Sequence, residues 1–349
     1  MSDEEARSIS ELADELDSEG MLAHLRNFPD DLDFGDLDDE LTTRIGRDFE
    51  GAVYLGMGGS AAAADFIASL IDNVAGRPIT VWRDYGLPAY VDSGWLVIAT
   101  SYSGNTEETL SGVQQALESG IPVVGISSGG RLQELLEAAD DGWWIPVPGG
   151  QPPRSAFGHL FSRLLQVSLA CGRLGLSLDE QQIDAEEVRE AVTEWDFVNN
   201  PESQAVDLAL LMQNRQVGIV SAPELACAGI RFANQLNENG GVFARPTSLP
   251  EMNHNEIIAW TEPEADDGQM LILLTWGGMN KRVEERIERM FEAVGADICR
   301  IHCEGEGLLD VMLTLCVLMD WISCAVALSR GKDPSAVGPI QDLKDHLSD

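Results

Sequence analysis

The chain has 349 residues, 44% of them hydrophobic, enough for two domains of about 150 residues, each with its own core. Fifty-nine acidic residues against 22 basic ones give a formal charge of −37. Such a surface repels nucleic acid and anionic membranes, so neither is expected as a partner.

Residues 3–50 predict helices with acidic faces. From residue 51 the pattern alternates. "GAVYLGMGG" predicts a strand and a glycine turn, followed by a helix over "SAAAADFIASLID". "ITVWRD" and "WLVIATS" predict strands, the second followed by a helix from about Thr106 to Glu118. "IPVVGISS" predicts a strand, 130–139 a helix, and "GWWIPVP" another strand. A Pro- and Gly-rich linker, "PVPGGQPPR" (146–154), ends this half. Two or three helices follow, over 155–173 and about 182–212. The alternation then restarts, with strands at "QVGIVSA", "MLILLTW" and "ADICRIH". Between and after them come helices at "ELACAGIRFANQLNE", "VEERIERMFEAV" and 306–329. Strands alternating with helices imply parallel sheets with helices on both faces, here in two halves of similar plan. Residues 51–70 and 216–238 echo each other weakly, as strand, turn and helix.

The remaining composition narrows the class. Three cations are lysines, Lys281, Lys332 and Lys344, and nineteen are arginines. An acidic, lysine-poor chain with long apolar segments is not a disordered polyanion. It points to a salt-loaded cytoplasm, where the Debye length shrinks to about 3 Å at 1 M. The six cysteines form no CxxC, and "CRIHC" (299–303) is expected as strand and turn rather than a metal site. The start "MSDEEARS" does not read as a signal peptide. The apolar run 311–328 carries Asp320 inside it and is expected as a buried core helix, not a membrane span. No metal or other cofactor is called for.

Ligands of open α/β sheets bind beyond the carboxyl ends of the strands. "GMGGS" (56–60) and "SYSGNT" (101–106) both fall there, each opening a helix whose free N–H groups and positive dipole end favour an anion. Hydroxyls of Ser60, Ser101, Ser103 and Thr106, with backbone exposed at Gly58 and Gly59, would make a phosphate site without lysine. The competing reading of one such turn is a capped helix start.

These motifs resemble the sugar isomerase (SIS) domain, a flavodoxin-like, doubly wound parallel sheet. The downstream "NENGG" (237–241), "LPEMNHNEIIAW" (249–260), "PPRSAFG" (152–158) and "IQDLKDHL" (340–347) look like the archaeal bifunctional phosphoglucose/phosphomannose isomerase family. The resemblance covers roughly 50–349. It implies an N-terminal helical segment at 1–50, a phosphate-binding SIS domain at 51–153, and a helical connection with a second SIS domain at 154–330. A tail at 331–349 would carry an active-site lysine. The implied activity interconverts glucose 6-phosphate, fructose 6-phosphate and, by family, mannose 6-phosphate through a cis-enediol. In that scheme Glu238 moves the proton, His254 and Lys344 open the sugar ring, and Arg154 steadies the enediolate. The site would lie in the crevice between the halves. The family's histidine comes from a neighbouring subunit, which implies a homodimer with shared sites; the acidic start and the buried apolar run lead to the expectation of a cytoplasmic protein.

The residue chemistry agrees. Moving a proton between adjacent carbons needs one carboxylate that both takes and returns it. As an α-helix, "IRFANQLNE" would set Ile230, Asn234 and Glu238 on one face, near Phe232 and Leu236. "EMNHNE" surrounds His254 with groups able to fix its tautomer. Lys344 stands where arginine would be a poor proton carrier, and two prolines restrict Arg154 beside a developing negative charge. Two other classes fit an SIS fold: a sugar-phosphate sensor, which normally brings an effector domain, and an isomerase of another phosphosugar, such as an amino sugar that normally brings an amidotransferase domain.

Overall fold

Strands form where the chain runs apolar for five or six residues, because a parallel sheet between two helix layers buries both of its faces. The computed structural model describes residues 3–32, 35–72, 76–174, 176, 183–200, 202–261, 268–294 and 297–348. They group into two units, one of Phe28–Ala185 and one of Met1–Asn27 with Glu186–Asp349. The helices α1 (Asp3–Leu16) and α2 (Met21–Asp31) open the chain.

In the unit of residues 28–185, α3 (Asp39–Ile45) leads to β1 (Gly51–Leu55) and α4 (Gly58–Asp72). Then come β2 (Ile79–Trp82), β3 (Trp95–Thr100), α5 (Glu107–Glu118), β4 (Val123–Ser127), α6 (Gly130–Glu137), β5 (Gly142–Pro146) and α7 (Phe157–Ala170). The sheet is wholly parallel in the order β2-β1-β3-β4-β5. Leu55 pairs with Ala99 and Ala99 with Gly125, so β1, β3 and β4 end nearly level and their following turns share one edge. One face is closed by α4 and α7, whose Phe66, Phe157 and Phe161 pack ring to ring at 5.1–6.1 Å. The Pro- and Gly-rich 146–154 segment lies within this unit, and residues beyond it form the buried helix α7.

In the other unit, α8 (Ala185–Trp195) and α9 (Ala205–Met212) precede β6 (Gln216–Ser221) and α10 (Ala226–Gln235). They are followed by β7 (Ala244–Ser248), α11 (Ile257–Thr261), β8 (Gln269–Trp276), α12 (Lys281–Ala293), β9 (Asp297–Cys303), α13 (Leu308–Ser329) and α14 (Gly338–Ser348). The parallel order β7-β6-β8-β9 repeats that of the first four strands of the other sheet, the structural form of the sequence echo. Arg26 ties the N-terminal helices to this unit, donating to Asp196 at 2.7 Å while its guanidinium lies 5.6 Å from the Trp321 ring centre.

Three features depart from the sequence pattern. Strand β7, "ARPTS", is polar and contains Pro246, as only an edge strand tolerates. The helical stretch 182–212 is broken after Trp195, where the Asp196 carboxylate takes the N–H groups of Val198 and Asn199 and holds a turn. The tail ends in a helix, α14. Helix α13 has the length and apolarity of a membrane span, but 94% of its apolar window is buried within the fold, as a core helix requires.

Candidate active site

The turn after β1 and the turn after β3 meet. Ser60 Oγ, in the first turn of α4, accepts the Tyr102 N–H at 3.2 Å, and Thr100 Oγ1 donates to Ser60 O at 2.9 Å. Ser101 is fully buried, and its Oγ lies 2.8 Å from Thr106 Oγ1. Thr106 is the N-cap residue of α5, yet its side chain makes no capping bond; it is turned to Ser101 instead. Ser103 is exposed and accepts the Asn105 N–H at 3.2 Å. One proton of the Ser101–Thr106 pair is spent on the other hydroxyl, so the four hydroxyls have at most three left to give a ligand. Gly104 locks the loop: at φ +68°, a side chain there would run into the Gly129 carbonyl oxygen.

The segment carrying Arg154 joins the same edge. A side chain at Gly59 would stand 3.5 Å from Pro153 O and 4.0 Å from the Arg154 Cα. Arg154 is only 5% exposed, so it is no surface residue at a helix start. Its loop is held by the Gln151 N–H, which donates to the Tyr102 hydroxyl at 3.0 Å. Behind it, His159 Nε2 lies 3.2 Å from Asp31 Oδ1, and Gln151 Nε2 lies 3.1 Å from the same ring nitrogen. Burial pushes the Asp31 carboxyl up to about 7, against the hydrogen bond from Gln151 that favours its charged form. Asp31, Tyr102, Gln151 and His159 escape sequence reasoning because they come from separated segments, and no local spacing brings them together.

In the second unit Glu238 does not continue α10. Residues Leu236–Gly240 form a π-turn, an i→i+5 widening. Ile230, Asn234 and Glu238 therefore do not follow an α-helical face to its end. The two asparagines of "NEN" pull in different directions. Asn237 exchanges both hydrogen bonds with the Ala244 backbone at the start of β7, each 3.0 Å, and Asn239 Nδ2 donates to Ser323 Oγ of α13 at 2.8 Å. Glu238, between them, is half-buried. Past the turn, the Lys332 ammonium occupies the space a side chain at Gly241 would take.

His254 ends a short 3₁₀ turn, Glu251–His254, and is exposed. The carboxylates and amides around it do not orient its ring. Asn255 donates to Glu251 at 2.8 Å, Trp260 donates to Glu256 at 3.0 Å, and Arg245 pairs with Glu256. Lys344 lies on α14, and its side chain is outside the described residues. In "CRIHC" both His302 ring nitrogens are engaged, by Thr275 and Glu304, and no group of three metal-ligating side chains occurs among the described residues.

The SIS domain family model matches residues 50–133, and the bacterial phospho-glucose isomerase C-terminal SIS domain model matches 201–347. The bifunctional phosphoglucose/phosphomannose isomerase of Aquifex aeolicus is 32% identical over 304 residues, covering 86% of this chain and 91% of its own. That of Caldicellulosiruptor bescii is 33% identical over 313 residues, covering 87% and 91%. Among solved structures, the C-terminal domain of the glucosamine-fructose-6-phosphate aminotransferase from Francisella tularensis superposes with a TM-score of 0.69 at 14% identity, over 90% of this chain and 97% of that one. Two parallel α/β halves with a hydroxyl-lined strand edge define a phosphosugar isomerase of the SIS class. Within that class the chain belongs to the bifunctional phosphoglucose/phosphomannose isomerase family.

Hydrogen bonds to a charged ligand are worth about 1.5–3 kcal/mol each. Ser103→Ala with Thr106→Ala should therefore raise KM for a phosphosugar at least roughly tenfold, with kcat changed far less. Steady-state kinetics checks this, and an unchanged KM would place the phosphate elsewhere.

Proposed function

We propose that the chain interconverts glucose 6-phosphate and fructose 6-phosphate, and mannose 6-phosphate with them, through a cis-enediol. The reaction is an internal redox exchange. C2 is oxidised as C1 is reduced, so one carboxylate that carries a proton between them completes the chemistry. Glu238 is that carboxylate. His254 and Lys344 open the ring, Arg154 offsets the enediolate charge, and the Gly58–Ser60 and Ser101–Thr106 turns hold the phosphate. The observation that carries this reading is the "NEN" turn: two asparagines tied to β7 and α13 fix the backbone on both sides of a half-buried glutamate. A fixed base in attack geometry is what proton abstraction from carbon requires.

An exposed His254 suits a residue given to a neighbouring subunit, and the assembly that fits it is a homodimer with shared sites. The acidic, lysine-poor surface suits a salt-rich cytoplasm.

Glu238→Gln should lower turnover of fructose 6-phosphate by at least about a hundredfold while leaving substrate affinity nearly intact. Mixing it with His254→Ala should restore part of the activity, because one site of the mixed dimer regains both groups. A Glu238→Gln enzyme with more than a tenth of normal turnover would remove the base assignment; a mixture as dead as its components would return the histidine to its own subunit. Wild-type protein that binds fructose 6-phosphate but yields neither aldose would be a sensor. Turnover and folding should both rise with potassium chloride up to about 1 M, where self-repulsion is screened; equal values in dilute buffer would contradict the salt-adapted reading.

A further inference from the structure

Asp320 is an acid inside an apolar helix, 4% exposed, and the reaction assigns it no task. Two residues of α10 reach it across the unit. Arg231 grips both carboxylate oxygens, with Nη2 donating to Oδ2 at 2.8 Å, and Gln235 Nε2 donates to Oδ1 at 2.6 Å. One turn along α13, Ser323 Oγ donates to the Asp320 carbonyl at 2.8 Å and accepts from Asn239. Helix α13 therefore holds three side chains in series, Arg231, Gln235 and Asn239, each four residues after the last. An α-helix turns about 100° per residue, so residue 239 would stand about 80° away from the face of residue 231. The π-turn at 236–240 takes up that rotation and returns Asn239 to α13. Glu238, the residue before it, is aimed by the same adjustment.

We propose that Arg231, Asp320 and Gln235 are positioning residues for Glu238: they fix the rotation of the helix end that presents the base, and Asp320 occupies the guanidinium so that it does not capture the base. The inference rests on Glu238 being the proton carrier. Burial alone would depress the Arg231 guanidinium, but the Asp320 carboxylate raises it on balance, and the Glu238 charge adds to the rise. Glu238 thus lies within the electrostatic reach of Arg231. Replacing a buried ion pair by apolar residues of similar volume is often neutral or stabilising, so the pair's contribution here is to geometry and charge rather than to folding.

The test pairs Arg231→Met with Asp320→Leu, a double variant that removes both charges together and leaves neither orphaned. Alongside it stand Gln235→Met, which removes one donor, and Glu238→Gln. Each is assayed for melting temperature, kcat, KM and the primary isotope effect on C2-deuterated glucose 6-phosphate. The double variant should melt near the wild type, lose roughly tenfold to a hundredfold in kcat, keep KM within about twofold, and show a larger isotope effect as proton transfer becomes slower. Gln235→Met should move the same way by less, and it decides the matter should the double variant not fold. A merely structural role lowers the active fraction and leaves the isotope effect untouched. Wild-type kcat and isotope effect in folded variants, beside an inactive Glu238→Gln, would overturn this inference alone. An active Glu238→Gln would overturn the base assignment and the inference with it.

Discussion

The bidentate contact between Arg231 and Asp320 is the constraint on which the unit of residues 186–349 turns. Two charges are held out of water, at 4% exposure each, where α10 meets α13, with Gln235 as a further donor to the carboxylate. Loss of either partner alone would strand a buried charge, at a cost of about 3–5 kcal/mol. Helix α10 is therefore fixed on α13 in one rotation, and the chain must widen at Leu236–Gly240 to keep its next donor in contact. The glutamate of "NEN" takes its place from that widening. Asn237 then carries the chain directly into edge strand β7, so the sheet, the turn and the core helix are coupled within a few residues.

The hydroxyl-lined edge proposed to hold the phosphate is built on a different principle. There the constraint is the parallel sheet, whose strands end level and place two glycine-rich turns side by side. Hydroxyls and backbone N–H groups line that edge, in a chain with three lysines. The Ser101–Thr106 contact shows how the loop is ordered before a ligand arrives: hydroxyls that would otherwise rotate are already committed. The Asp31–His159 pair and Gln151 hold the Arg154 loop from behind, and Tyr102 connects it to the same turn.

Much of this was legible in the sequence, for a physical reason. Central parallel strands are buried on both sides, so "AVYL", "LVIAT" and "LILLT" announce themselves as apolar runs, and glycine-hydroxyl turns mark the carboxyl ends of the first two. Strand β7 was silent because an edge strand is half-solvated and can be polar. The π-turn was silent because it follows from contacts with residues far along the chain, and local spacing predicts an ordinary helix there. Asp320 was visible as a charge in an apolar run, but its partner was not; nothing in the pattern pairs it with Arg231 rather than any other arginine. His254 shows the opposite error, since neighbours that look suited to orient its ring bond to one another instead.

Movement of a proton between C1 and C2 by a carboxylate, as proposed, is tested most directly by converting glucose 6-phosphate to fructose 6-phosphate in heavy water and locating the deuterium in the product by NMR. A glutamate that holds the proton between two steps exposes it to solvent, so deuterium should appear at C1 of fructose 6-phosphate. Product carrying none, with the C2 hydrogen transferred whole to C1, would mean a hydride shift and contradict the account.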